Sequence, residues 1–263
     1  MKVVLFCGGL GMRMREYSET IPKPMVPIGY RPILWHLMRY YAAFGHTDFV
    51  LCLGHRGDFI KEYFLDYKEW LSNDVVLSGG GRDVELLSRD IDDWRITFVD
   101  TGTHASIGER LRRVRPHLEG EDVFLANYSD GLSDVPLDRV VDDFRARGGI
   151  VSFVSARPSH SFHVVAAADD GTVKAIEDVT TAGVWINAGF FVMSSRIFDF
   201  LRPGEELVEE PFQRLIDISA LTTYRHDGFF VPMDTFKDRQ VLEDLHSRGD
   251  PPWAVWRARA GAA

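Results

Sequence analysis

Only two cysteines occur in the 263 residues, Cys7 and Cys52, and each lies in an apolar run. Two thiols without clustered histidines make neither a disulfide framework nor a zinc site, so both read as reduced core residues and a cytoplasmic location is expected. Cations are scarce as well: 30 Lys and Arg stand against 39 Asp and Glu, a net charge of -9. That balance disfavours nucleic acid and anionic membrane surfaces as partners. No stretch approaches eighteen apolar residues, the length that would suggest a membrane span. No charged leader with a small-residue cleavage site is read before the first strand, so no signal peptide is expected. Internal repeats and low-complexity tracts are absent. His36 and His55 lack metal-ligand spacing and read as structural. No Ser-His-Asp order with a nucleophile elbow appears, so hydrolase chemistry is not indicated.

What is present is a 45% hydrophobic composition, enough for one large α/β domain with a substantial core. Apolar runs alternate with amphipathic ones through the first half. Strands are expected at residues 2–7, 48–53, 96–99 and 123–126. Helices are expected from Pro32 to about Gly45, from Ile60 to Trp70, from Ile107, and from Pro136 to about Gly148. This βαβ alternation predicts a mostly parallel sheet with helices on both faces. From Ile150 to Met193 the pattern changes to short strands with Asp-Asp-Gly and Ala-Gly turns. Two helices follow, near 208–218 and 236–248. We read a β-rich lobe that shares the sheet, so residues 1–148 and 149–256 are two halves of one domain. Ser78–Arg89 carries turn chemistry and reads as a mobile excursion.

Val3-Val4-Leu5-Phe6-Cys7 leads into Gly8-Gly9-Leu10-Gly11-Met12-Arg13, and Pro22-Lys23-Pro24 follows shortly. A buried strand, a loop poor in side chains and two fixed cations suit the phosphates of a nucleoside triphosphate, because glycines let backbone N–H groups approach phosphate oxygens. No Gly-Lys-Ser/Thr follows, which excludes a Walker A loop. Met14 stands where a dinucleotide fingerprint needs its third glycine. Pro22 and Pro24 are expected to hold the residues before them extended, so that Lys23 is aimed. Asp130 directly follows a buried strand and therefore lies at its carboxyl end, where open α/β sheets bind ligands. By spacing alone, Asp130 also suits an Asp-Gly turn and Asp234 the start of a helix.

The segment from Gly8 to Met38 resembles the start of the sugar-phosphate nucleotidyltransferases, and within them the glucose-1-phosphate cytidylyltransferase branch. Val99–Val114, Asn127–Val135, Ile186–Val192, Val208–Leu215 and Pro232–Asp238 continue the likeness, as does the ending Pro251–Trp256. The resemblance covers nearly the whole chain. It implies a Rossmann-like, mostly parallel mixed sheet with an appended sugar-binding lobe, and transfer of CMP from CTP to a sugar 1-phosphate with release of pyrophosphate. A thymidylyl- or uridylyltransferase of the same fold and a non-catalytic nucleotide-binding subunit remain as alternatives. Arg13 and Lys23 would be the catalytic cations, and Asp130 and Asp234 the ligands of Mg²⁺. Gly8, Gly9, Leu10, Gly11, Met12, Gly108, Arg110 and Tyr128 would bind the nucleotide, with Arg110 near the pyrimidine. Glu177, Asn187, Asp178 and His163 would face the acceptor. A homo-oligomer is also implied.

The acceptor half departs from the family's pattern. The family usually carries Glu-Lys-Pro in mid-chain, and the lysine neutralises the sugar's phosphate. Here Glu177-Asp178-Val179 stands in that place. Met12 replaces a small hydroxyl residue, and His163 follows Phe162 where glycine is usual. Three explanations stay open: another cation, such as Arg157, Lys174 or His163, holds the sugar's phosphate; the acceptor is a different phosphorylated or phosphonylated small molecule; or the chain binds nucleotides without turning them over.

Overall fold

In the computed structural model, residues 1–9, 21–159 and 162–260 are described. Arg13 and the loop residues Leu10, Gly11 and Met12 lie outside them. Fifteen strands are described: β1 (Val3–Phe6), β2 (Pro27–Ile28), β3 (Arg31–Pro32), β4 (Asp48–Leu53), β5 (Val75–Ser78), β6 (Asp83–Leu86), β7 (Arg95–Asp100), β8 (Val123–Asn127), β9 (Gly131–Ser133), β10 (Val151–Ala156), β11 (His163–Ala167), β12 (Val173–Asp178), β13 (Ile186–Ser194), β14 (Leu221–His226) and β15 (Phe230–Pro232). The helices are α1 (Ile33–Ala43), α2 (Gly57–Leu65), α3 (Ile107–Val114), α4 (Leu137–Arg147), α5 (Glu210–Asp217), α6 (Phe236–Ser247) and α7 (Val255–Ala260). Seven strands form the central sheet in the order β14-β10-β13-β8-β1-β4-β7. β13 alone runs against its neighbours; the other pairings are parallel. This is the mostly parallel mixed sheet expected, and the second half of the chain joins it through β10, β13 and β14.

Alternation along β1 divides the core. Val3 and Leu5 pack on one face with Leu37, Tyr41, Phe144 and Leu242 from α1, α4 and α6. Val4 and Phe6 pack on the other with Leu111, Val114, Phe212 and Leu215 from α3 and α5. Both faces of each inner strand are therefore dry, which is why those strands read as continuous apolar runs. Two expectations need correction. The helix expected to Trp70 ends at Leu65, and Glu69–Leu71 is a separate short turn. The chain leaves the helix because Arg31, buried between them, takes the Lys68 carbonyl at 2.9 Å and stacks 4.2 Å from the Tyr67 ring. Ser78–Arg89 is not turn throughout. Its glycines close a hairpin between β5 and β6, with Ser78 paired to Asp83.

Candidate active site

The site is assembled at the carboxyl end of β8. Asn127 ends that strand, and its side chain does two jobs. The amide Nδ2 donates to the Tyr41 hydroxyl at 3.2 Å, and Oδ1 accepts the Ser129 N–H at 2.8 Å. The second bond closes a tight turn in which Ser129 adopts φ 67°, a conformation costly for a non-glycine residue. That turn presents Asp130. β9 begins at the next residue and pairs antiparallel with β15, Gly131 opposite Pro232. The Met233 N–H extends the ladder by donating to the Asp130 carbonyl at 2.7 Å. Asp130 and Asp234, 104 positions apart in the sequence, are thereby neighbours. Asp234 is not the cap of the following helix: Thr235 caps α6, in a reciprocal box with Asp238.

Lys23 meets both carboxylates. Its Nζ lies 2.7 Å from Asp130 Oδ2 and 2.7 Å from Asp234 Oδ1. The lysine comes from a single 3-10 turn, Lys23–Met25, entered through extended Pro22. The expectation that Pro24 holds Lys23 extended is corrected here. The turn is closed by Met25 N–H to the Pro22 carbonyl and Val26 N–H to the Lys23 carbonyl, and this closure aims the side chain. Burial disfavours the Lys23 cation, but the two carboxylates outweigh it and hold its pKa above the ordinary lysine value. Asp130 is shifted upward, first by desolvation and then by Asp234, against the pull of Lys23. Asp130 thus retains proton affinity even beside the ammonium. Two convergent carboxylates are the kind of oxygen donor Mg²⁺ takes together with phosphate oxygens, and in this structure Lys23 Nζ stands between them.

Gly8, at the start of the glycine run, sits on Arg110. Its guanidinium is 2% exposed, and its donors reach the Gly8 carbonyl at 2.6 Å, the Thr101 hydroxyl at 2.7 Å, the Leu53 carbonyl at 3.1 Å and the Thr103 carbonyl at 3.2 Å. Arg110, expected near the pyrimidine, is here a buried post under the Gly8 carbonyl. A Cβ on Gly8 would run into the Arg110 guanidinium, so any side chain there would have to displace that buried group. The space around Gly9 is open. Gly108 is buried in α3 against the Glu205 carbonyl, so its missing side chain makes room for backbone. Tyr128 packs edge-on against Phe191, and its hydroxyl is 3.5 Å from Asn187 Nδ2. Burial, the Glu206 charge and Asp130 raise its phenol pKa. Asn187 Oδ1 accepts the Gly189 N–H at 2.8 Å.

The remaining acceptor candidates lie on the exposed hairpin β11–β12, where His163 is opposite Asp178 and Val164 opposite Glu177. The Asp178 carboxylate is engaged by its own turn, accepting from the Thr180 N–H at 2.9 Å and hydroxyl at 2.6 Å. Those bonds hold its pKa below the usual carboxylate value. Lys174 is near the far end of the hairpin, one residue from the Val173–Ala167 pair. Gly189 carried no expectation, yet its φ of 74° and the Tyr128 ring, 2.5 Å from where a Cβ would sit, make it part of the site's frame. The signal available was a glycine interrupting an apolar strand.

A family model described as "Nucleotidyl transferase" matches residues 2–225. The chain is 36% identical to a "Probable glucose-1-phosphate cytidylyltransferase" of Bacillus subtilis (strain 168), covering 97% of this chain and all of that one. It is 35% identical, with the same coverage, to a "Glucose-1-phosphate cytidylyltransferase" of Salmonella typhi. Among solved structures, a UTP-bound UGPase from Acinetobacter baumannii superposes with a TM-score of 0.71 at 18% identity, over 98% of this chain and 97% of that one.

Proposed function

The chain belongs to the nucleotidyl transferase family, and from that premise we propose that it is a cytidylyltransferase, joining CMP from CTP to a sugar 1-phosphate and releasing pyrophosphate. The observation that carries this reading is the convergence of Lys23, Asp130 and Asp234 at the carboxyl end of the sheet. The transfer brings two anions together and expels a third, so its demand is positive charge at fixed positions. Lys23 supplies one such charge, and Arg13 is assigned a second on the triphosphate. Asp130 and Asp234 would hold Mg²⁺, which when bound neutralises phosphate charge at the reacting centre. The acceptor's phosphate is ionised at neutral pH and is itself the nucleophile, so no protein nucleophile or strong base is required. Asn187, with Tyr128 beside it, is assigned to orient the acceptor, and Glu177 to its hydroxyls.

The test is pyrophosphate release from CTP over a panel of hexose 1-phosphates, with UTP, dTTP and GTP as competitors. Turnover is expected with CTP. Preference for another triphosphate would move the assignment to a uridylyl- or thymidylyltransferase, and tight CTP binding without turnover on any acceptor would reject transfer. The same reading has the protein working in the cytoplasm as a homo-oligomer. Val76, Leu77 and Val84 on the exposed β5–β6 hairpin favour self-association, which analytical ultracentrifugation checks. Among the described residues, no helix is long and apolar enough to cross a membrane.

A further inference from the structure

A cation is required at the acceptor end, and the hairpin does not offer one near its base. Asp178 stands opposite His163 there, and Lys174 is displaced along β12 by three residues from Glu177, about 10 Å of strand. One strand away the situation differs. Arg157 directly follows β10, whose last residue Ala156 pairs with Ile186 of β13. β10 and β8 both run antiparallel to β13, so Arg157 emerges at the same carboxyl end of the sheet as Asp130. Its guanidinium lies 4.0 Å from the ring of Trp185, two residues before Asn187. Arg225, opposite Ser155 on β14, holds a second guanidinium 5.3 Å from the same ring.

Arg157 is poorly compensated. Arg157 Nε reaches Asp227 at 3.2 Å, but that carboxylate is 73% exposed, and an ion pair so solvated is weak. Arg157 Nη1 is shut off from water and has no acceptor among the described residues. A buried donor without a partner carries a desolvation cost that a bound acceptor atom would remove. The indole fixes the plane of the guanidinium, which suits paired N–H donation to a planar or tetrahedral oxyanion.

We propose that Arg157, stacked on Trp185 and backed by Arg225, binds an oxyanion of the acceptor, a phosphate or a carboxylate, in place of a cation on the β11–β12 hairpin. The proposal rests on the cytidylyl-transfer reading for the identity of the acceptor. The test measures pyrophosphate release from CTP by the full-length enzyme with glucose 1-phosphate and with glucuronic acid 1-phosphate, comparing wild type, Arg157→Met and Arg157→Lys. Arg157→Met is expected to raise the acceptor KM about 10- to 100-fold, with the CTP KM unchanged. Arg157→Lys recovers part of the loss, and it alone carries the test if the methionine variant fails to fold. An equal loss on both acceptors identifies the oxyanion as the shared phosphate. A loss confined to glucuronic acid 1-phosphate identifies it as a second acidic group. An unchanged acceptor KM, or a parallel rise in the CTP KM, overturns the proposal. Should wild type turn over no acceptor, the transfer reading fails separately. Calorimetric binding of glucose 1-phosphate then decides: weaker binding by Arg157→Met supports the subsite, and equal binding overturns it.

Discussion

Replacing Lys23 with alanine removes the only ammonium that either aspartate touches among the described residues. Each carboxylate oxygen lies 2.7 Å from Nζ, so each loses a Coulomb attraction of roughly 6 kcal/mol at an effective dielectric near 20, much of which the cost of burying the lysine offsets. The Asp130 and Asp234 side chains are 32% and 29% exposed, so water screens part of this and a loss of about 2 kcal/mol is expected. For a chain of this size that corresponds to a melting temperature lower by about 5 °C. The pH dependence has a definite sign. The Asp130 pKa in the folded protein is already raised, and without Lys23 it rises further. A carboxyl whose folded pKa exceeds its unfolded one favours folding more as pH falls, because the native state then binds the extra proton. Lys23→Ala should therefore regain stability on mild acidification, and it should gain more from added Mg²⁺ than wild type does. Thermal unfolding across pH, with and without Mg²⁺, measures both effects. A variant that melts like wild type and responds to neither proton nor metal would refute the view that the carboxylates depend on this lysine. Turnover should fall by about 10²- to 10³-fold, the usual cost of removing one charge-stabilising group from an active site.

Other perturbations have equally definite outcomes. Arg110→Met removes four hydrogen bonds, one of them to the Gly8 carbonyl, and should raise the CTP KM while leaving the acceptor KM nearly unchanged, as steady-state kinetics would show. Gly189→Ala forces a side chain into φ 74° and into the Tyr128 ring, and should cost about 2–4 kcal/mol in urea unfolding together with a fall in kcat. His36 is buried, donates to the Ile28 carbonyl and is pushed down to about 4, chiefly by burial. The fold thus holds it neutral. Its contribution of about 3 kcal/mol is full above the unfolded pKa near 6.5 and is lost as pH falls toward 4. Unfolding midpoints of His36→Gln should show a flatter pH profile over that interval.

Much of the architecture is a local property of the chain. The apolar runs at β1, β4 and β8 and the amphipathic stretches at α1, α3 and α4 each announce their element, because a strand buried on both faces and a helix buried on one leave different periodicities. The glycine after β1 is legible for the same reason: the close approach of Arg110 to Gly8 leaves no room for a side chain, and that requirement is written in the sequence itself. Other features depend on contacts no local window contains. The break after Leu65 follows from Arg31, more than thirty positions away, which takes the Lys68 carbonyl that a continuing helix would use. Spacing alone left Asp130 and Asp234 as a turn residue and a helix start, since neither stretch encodes the other. They converge because the β9–β15 ladder fixes their register, and an antiparallel ladder is a relation between two segments. Arg110 is similar. Its helix is visible in the sequence, but only the packing of α3 under the first turn decides that its guanidinium faces the Gly8 carbonyl. Composition and periodicity thus determine which elements form and which residue types are available. Register and packing determine which of those residues share a cation.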